Sequence, residues 1–368
     1  MKSISEIIGG AQGLLDISFE LQSCFEEKLN HKQKTFLQIL RVIEEHLPVL
    51  YRPYKGTGRK PYQYLPFLRS QFAKTFFQIP TTTMLIERLK ADPNLRLLCG
   101  FNEIPHESSF SRVYGYFSQT NIIPETHDDL TRETFMNKIV YHINRDSTAI
   151  SAREKAEKKK KDKTPKKRSK TRGRPPGTTG KRKKQKQPTE IEMQITEEIS
   201  TSLERFNKKC VYGCKESPSG NKTFWKGYKL HLDITDWGYP VTACVTGANV
   251  SDKSLAIPME KITEQKVTFC YSLMDCGYDA QIIRSFIESR ERVPIIDYQA
   301  RANGIRPVLD PAKQERYKIR TAVERANSHL KDNLIPKAIY VKGHKKVSFV
   351  LYSAVLCLAA LKCLQSLC

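Results

Sequence analysis

The sequence predicts an α/β domain preceded by an all-helical region. Three observations carry this. Apolar residues recur at helical spacing through about residue 135, β-favouring runs separated by helical stretches follow from residue 138, and Val347 to Leu361 is almost wholly apolar. A chain of 368 residues has room for two such parts, and the change of pattern divides it into 1–135 and 136–368.

The helical region reads element by element. His31 to His46 carries Phe36, Ile39, Leu40, Ile43 and Leu47 at helical spacing, and Pro48 ends it. A loop follows from Pro53 to Pro61, then a helix from Tyr62 to Phe77, stopped by Pro80. One of Thr81, Thr82 and Thr83 caps a helix containing Met84, Leu85, Ile86 and Leu89. Gly100 closes the next short helix, and Ser108 or Ser109 caps Phe110 to Phe117. Short helices with tight connections suit a helix-turn-helix DNA reader, and equally a bundle that docks or dimerises.

The second part alternates. Ile139 to Arg145 is β-favouring and ends in Asp146-Ser147-Thr148, which puts a carboxylate at a strand's carboxyl end. A helix is expected from Glu190 to Phe206, then strands from Phe224 to Thr235 and Pro240 to Thr246 about a hairpin turn at Asp236 to Tyr239. Asn249 to Asp252 leads into a helix through about Glu264, with Asp252 read as its N-cap. The strand Val267 to Met274 ends at Asp275; a helix to Arg290, the strand Val293 to Asp297 and a helix from Tyr317 to Lys331 follow. The terminal apolar stretch is shorter than the roughly 20 residues of a spanning helix and reads as a core helix, so no membrane is expected.

Charge narrows the partner. The net charge is +23, and residues 153–186 hold eighteen Lys or Arg against three acids, so +15 of it sits in one run and about +8 elsewhere. Such a run cannot fold alone, and 153–188 reads as a basic disordered insertion able to bind phosphates. Within it Arg172-Gly173-Arg174-Pro175 resembles an AT-hook core, with Arg172 and Arg174 placed to enter a narrow minor groove. Nucleic acid is the natural partner. Ten scattered cysteines and the lack of a secretory apolar start fit a reducing cytoplasm. Cys210 and Cys214 have no second short-spaced pair with which to hold zinc.

The Tyr317 to Lys331 helix separates its faces. At roughly 100° per residue, Tyr317, Arg320, Glu324 and Lys331 fall within about 60° of one another, with Ile319, Ala322, Val323, Ala326 and Leu330 opposite. An ordinary surface helix with an Arg320–Glu324 pair would look the same. The alternative is that Glu324 joins Asp146 and Asp275 in a metal-binding triad, since Asp and Glu are the oxygen ligands magnesium needs for phosphodiester chemistry. Asp233, Asp236, Asp252 and Asp297 are competitors by spacing. Lys229 and His231, on one strand with Trp225, are either DNA-facing or ordinary sheet positions.

Four motifs then resemble bacterial insertion-sequence transposases of the DDE class: Asp146-Ser147-Thr148, Gly227-Tyr228-Lys229-Leu230-His231, Asp275-Cys276-Gly277-Tyr278, and Tyr317-x2-Arg320-x3-Glu324-x6-Lys331. The last is the Y-R-E-K signature of one branch, matched at every position. Ile79-Pro80, Leu95-Arg96, Cys99-Gly100-Phe101 and Pro105-x-x-Ser108 resemble the helical N-terminal domain of the same transposases. The resemblance implies an RNase H-like mixed sheet flanked by helices, with Asp146, Asp275 and Glu324 ligating two Mg2+ ions, for which Mn2+ can substitute. It implies hydrolysis at the element's ends and attack of the freed 3′-hydroxyls on target DNA, with Tyr317, Arg320 and Lys331 holding the strand. The expected partners are double-stranded DNA, as terminal inverted repeats and target, and further copies of the chain at synapsis. The expected location is the bacterial cytoplasm, in action at the nucleoid. A nuclease that cuts without joining, or a catalytically inactive DNA-binding derivative, would share most of these features.

Overall fold

In the N-terminal region each helix starts and stops on local chemistry. The computed structural model describes residues 28–366 apart from 51, 53, 55, 58–60, 158–187, 217–219, 300–303 and 305. Helix α1 (His31–Glu44) opens on a capping box between Asn30 and Gln33. Helix α2 spans Tyr64–Phe76, and Thr81 caps α3 (Thr82–Ala91) through the Met84 N–H. Asp92 caps α4 (Pro93–Cys99), and Gly100, at φ 82°, ends it in the left-handed conformation that favours glycine. Helix α5 (Glu107–Phe117) starts one turn earlier than expected. Its cap is His106, whose ring nitrogen accepts from the Ser108 N–H. Helix α6 is Ile122–Thr134.

The apolar faces of these helices close on α13 (His344–Gln365), which lies buried from Val347 to Ala360. Phe67 meets Phe101 and Phe110 edge-on, and Phe117 stacks on Phe349 of α13. Helix α13 is long and apolar enough to cross a membrane, yet most of its apolar stretch is covered by protein. One continuous hydrophobic core runs from Phe36 and Phe72 through Leu351 and Leu358 to Leu230, Leu232 and Ile234 of the sheet, with smaller clusters around Met274 and Leu255 on the side of the Asp252–Glu264 helix.

The sheet is mixed. Its strands are β1 (Ile139–Ser151), β2 (Val211–Glu216), β3 (Lys222–Thr235), β4 (Pro240–Gly247), β5 (Thr268–Met274) and β6 (Val293–Ile296), in the order β2-β3-β1-β5-β6 with β4 also on β3. Pairs β1–β5 and β5–β6 are parallel; β1–β3, β2–β3 and β3–β4 are antiparallel. Between them run α9 (Asp252–Glu264) and α10 (Gln281–Glu288). This is the mixed α/β sheet flanked by helices, with a helical N-terminal region, that an RNase H-like domain requires.

Several expectations need correction. Strand β1 does not end at Asp146 but runs to Ser151, because its antiparallel ladder with β3 continues to Ser151↔Gly227. The parallel ladder with β5 stops at Arg145↔Met274, so Asp146 and Asp275 are the first residues beyond it. The expected helix from Glu190 is two, α7 (Glu190–Thr196) and α8 (Ile199–Glu204), split at Glu197 in an extended conformation. Strand β2 was not anticipated; Gly213 and Cys214 give it no clear alternation, and pairing with Lys222–Gly227 makes it a strand. The expected helix from Tyr317 is segmented into α11 (Pro311–Tyr317), a 3-10 turn (Lys318–Arg320), α12 (Thr321–His329) and a π turn (Leu330–Leu334).

Beneath the sheet lies a fully buried ionic network. Arg145 makes a bidentate pair with Asp233 at 2.7 Å for both bonds, reaches Glu260 at 3.1 Å, and donates to the Ala256 carbonyl at 2.8 Å. Thr263 donates to Asp233 and Ser272 to Glu260. Burial works against the Arg145 charge, but Asp233 and Glu260 more than offset it and raise its pKa.

His127 supplies a pH-dependent element. It is buried, and its Nε2 donates to the Pro240 carbonyl at 2.7 Å. Burial, helped by Lys266, lowers its pKa from 6.5 to about 4. Between those values only the unfolded chain takes up the proton. The contribution is therefore complete above about pH 6.5 and is lost as pH falls toward 4, up to about 3 kcal/mol. Urea midpoints should fall from pH 7 to pH 5 in the wild type, and less steeply in His127→Gln, which keeps a donor for Pro240.

Candidate active site

Three elements bring three carboxylates to one guanidinium. β1 carries Asp146, the turn after β5 carries Asp275, and α12 carries Glu324. Arg320, in the 3-10 turn preceding α12, bonds Glu324 at 2.8 Å and lies 3.8 Å from Asp146 and 3.9 Å from Asp275. Its side chain is only 16% exposed, whereas Glu324 is 57% exposed and can turn from its partner toward solvent. Burial works against the Arg320 charge, but Asp146, Tyr317, Asp275 and Glu324 together raise its pKa.

The two aspartates are held differently. Asp275 Oδ1 accepts the Gly277 N–H at 2.8 Å within the 3-10 turn Cys276–Tyr278, which fixes the carboxylate relative to the end of β5. Asp146 Oδ2 accepts from Asn327 Nδ2 of α12 at 3.1 Å, tying the strand directly to the Glu324 helix. Burial pushes the Asp146 carboxyl up to about 6, against the pull of Arg320 and with the Asp275 charge adding to it. Asp275 is raised too, by burial first, with a further push from Asp252. Both acids are therefore short of positive charge even with Arg320 between them.

Among the described residues no three His, Cys, Asp or Glu side chains stand close enough to hold a metal ion as they are. The donor set nonetheless fits a hard divalent cation: all oxygen, all carboxylate, from three separate elements, around a cationic group that stands where such an ion would.

The other predicted residues fall into three groups. Tyr317 is half-buried near Arg320; burial raises its phenol to about 12, so it stays a donor at neutral pH. Lys331 is lowered by burial and by Lys215, with the Asp146 charge opposing. Lys229 turns inward, its ammonium bound to the Val250 carbonyl at 2.9 Å and to Asp252 at 3.0 Å. His231 has no exposed surface, and its Nε2 meets Thr246 Oγ1 at 2.9 Å. His231 therefore occupies an ordinary sheet position and does not face DNA: its side chain lies on the sheet face covered by α9. Arg172 and Arg174 lie outside the described residues.

The competing acids are already engaged. Asp233 is consumed by Arg145, Asp236 accepts from His142, and Asp297 pairs with Arg306 and takes the Tyr298 N–H. Asp252 is not a cap; Ser251 holds that position, and the Asp252 carboxylate takes Lys229. Motif reading did not find Asn327 or Arg145. Arg145 did leave a signal: a cation at the end of a β-favouring run that enters the sheet needs a buried partner.

Two family models match the chain: a transposase domain (DUF772) over residues 23–115 and a transposase DDE domain over residues 200–359. Together they span more than half of it. The second interval contains Asp275 and Glu324, and Asp146 precedes it. No curated protein and no solved structure matches the chain.

Proposed function

The chain belongs to the insertion-sequence transposases with a DDE domain, and from that premise we propose that it cuts DNA at its own element's ends and joins the freed 3′-hydroxyls to target DNA. The observation that carries this reading is the convergence of Asp146, Asp275 and Glu324 on Arg320. Asp146 and Asp275 are raised chiefly by burial, and all three acids gather around one cation, an arrangement that serves a divalent-metal site better than a surface salt bridge.

In this reading Asp146, Asp275 and Glu324 hold two Mg2+ ions. Bound there, they supply Lewis acidity that activates the attacking oxygen and stabilises the leaving one. Arg320, released from the carboxylates, donates to a phosphate oxygen in the fork geometry that suits guanidinium. Lys331 adds a second cation beside Asp146, and the Tyr317 hydroxyl donates to the strand. Asn327 keeps Asp146 oriented while the Glu324 side chain moves. In this reading the Y-R-E-K residues act together, which supports a place for the chain in that branch. Residues 28–135 engage DNA or a second copy of the chain, and two ends are synapsed by an oligomer.

Arg320 gives an early check. A unit charge about 4 Å away is worth between about 1 kcal/mol in water and about 4 kcal/mol at an effective dielectric near 20, and solvent at the exposed Glu324 moves the sum toward the lower figure, so its removal should favour a competing cation. Arg320→Ala is expected to bind Mn2+ roughly tenfold more tightly by paramagnetic titration, and to bind DNA more weakly. Unchanged Mn2+ affinity would separate Arg320 from the metal site.

The activity itself is tested on the inverted repeats that flank the gene. Purified chain with Mg2+ should nick duplexes ending in those repeats to leave 3′-hydroxyls, and should join pre-cut ends to plasmid. Cutting without joining would make it a nuclease, and neither activity would overturn the proposal.

A further inference from the structure

Outside the carboxylate cluster, the β2–β3 ribbon treats its two faces differently. Cross-strand partners share a face. The register puts Gly213 with Trp225 on one side, and Tyr212 with Lys226 and Cys214 with Phe224 on the other. The first face is anchored. Trp225 Nε1 donates to the Tyr228 carbonyl at 3.2 Å. A Cβ on Gly213 would meet the Trp225 ring at 2.4 Å and the Ala248 carbonyl oxygen at 2.7 Å, so the ring lies close against the glycine. Gly227, at φ +152°, closes the ribbon on β1: a Cβ there would stand 2.1 Å from the Ile150 carbonyl oxygen. The second face is open. Tyr212 is 65% and Phe224 67% exposed, and Cys214 beside them is exposed too.

Charge indicates what covers that face. Outside the basic run the chain keeps about +8, and residues 208–226 supply +4 of it: Lys208, Lys209, Lys215, Lys222 and Lys226 against Glu216 alone. The run itself begins here. The Ala152 N–H donates to the Lys226 carbonyl and the Glu157 N–H to the Cys210 carbonyl, both at 2.9 Å, so the first residues of the run border both strands of the ribbon. A polyanion drawn to the +15 of residues 153–186 is therefore brought beside this face. β2 is also an edge of the sheet, which leaves a side approach open. A duplex would need only the cations. Two bared aromatic rings on one face, at diagonal positions about 7–8 Å apart, instead suit unpaired bases, each of which offers a flat face to stack.

We propose that the outer face of the β2–β3 ribbon is a docking platform for single-stranded nucleic acid. Tyr212 and Phe224 stack on neighbouring bases, and Lys226 meets a backbone phosphate. None of these residues belongs to the Asp146, Asp275 and Glu324 cluster, and the platform needs no metal. Its binding therefore does not depend on the reading of that cluster as a DNA-cutting centre.

The test uses the full chain in EDTA, with fluorescein-labelled oligo(dT) of about 15 nucleotides and a mixed-sequence duplex of equal length, read by anisotropy across a salt series. Tyr212→Ala and Phe224→Ala should each weaken oligo(dT) binding about five- to tenfold and leave duplex binding within about twofold. Tyr212→Phe and Phe224→Tyr keep a ring and should bind like the wild type. Lys226→Ala should flatten the log Kd against log salt slope for oligo(dT) by about 0.7. The alanine variants truncate exposed side chains, so their urea midpoints should match the wild type. A wild type that did not bind oligo(dT), or alanine variants that weakened oligo(dT) and duplex equally or not at all, would overturn the platform. So would a fall from dimer to monomer in light scattering for Phe224→Ala, which would make the face a contact between copies of the chain. Cleavage is assayed separately with Mg2+, and its failure would strike the reading of the carboxylates while leaving the binding result in EDTA as it stands.

Discussion

Asp275→Asn is expected to lower Mg2+-dependent cleavage by about 10³-fold or more, equivalent to about 4 kcal/mol of transition-state stabilisation, while the fold stays intact. Asn keeps the acceptor for the Gly277 N–H. Because burial already raises the Asp275 carboxyl, the ionised form is held at a cost that the amide avoids. The melting temperature should therefore stay within a few degrees, and DNA affinity should change little. Asp146→Asn should behave alike, since its Asn327 contact can persist. The double variant should lose little beyond either single one, because groups acting on one centre are not additive. Cleavage within tenfold of the wild type in Asp275→Asn would remove it from the catalytic set.

Asp233→Ala is expected to act on the fold, with a loss of about 3–5 kcal/mol. Removing it strands Arg145 against Glu260 with a bidentate partner missing, in a site with no solvent exposure. Where that loss keeps the chain from accumulating in soluble form, a milder variant keeps the point measurable. Thr263→Val deletes the hydroxyl donated to Asp233 and should cost about 1–2 kcal/mol in urea midpoint. The catalytic effect should follow the structural one, since Arg145 directly precedes Asp146 on β1. If Asp233→Ala unfolded within 1 kcal/mol of the wild type, the network would be incidental to stability.

Much of the architecture was legible because it follows from local pattern. Pro48, Pro80, Gly100 and the run Val347 to Leu361 mark helix limits that packing later respects, and Asp275 stands where β5 runs out. What was illegible depends on partners distant in sequence. Asp146 looked like a strand end because its run of β-favouring residues stops at Arg145, while the β3 ladder carries the strand six residues past it. Strand β2 is set by its pairing with β3, and Gly227 by its close approach to the Ile150 carbonyl, neither of which leaves a periodic trace. The face of His231 could not be read because its strand is covered on both sides, so alternation gave no contrast. Arg320 reads in the sequence as a partner of Glu324 or of the DNA strand; its contacts with two aspartates arise only when α12 docks on β1.

The shared core has an evolutionary consequence. Where a recognition module hangs from a linker, recombination can exchange it whole. Here the apolar faces of α1, α2, α5 and α6 are sealed by α13, from the other end of the chain, and Phe349 stacks with Phe117. A graft that replaced residues 28–135 would have to match that surface methyl for methyl or leave α13 uncovered. The helical region and the sheet thus have to change together, and chimeras joined near residue 135 should fail as inclusion bodies.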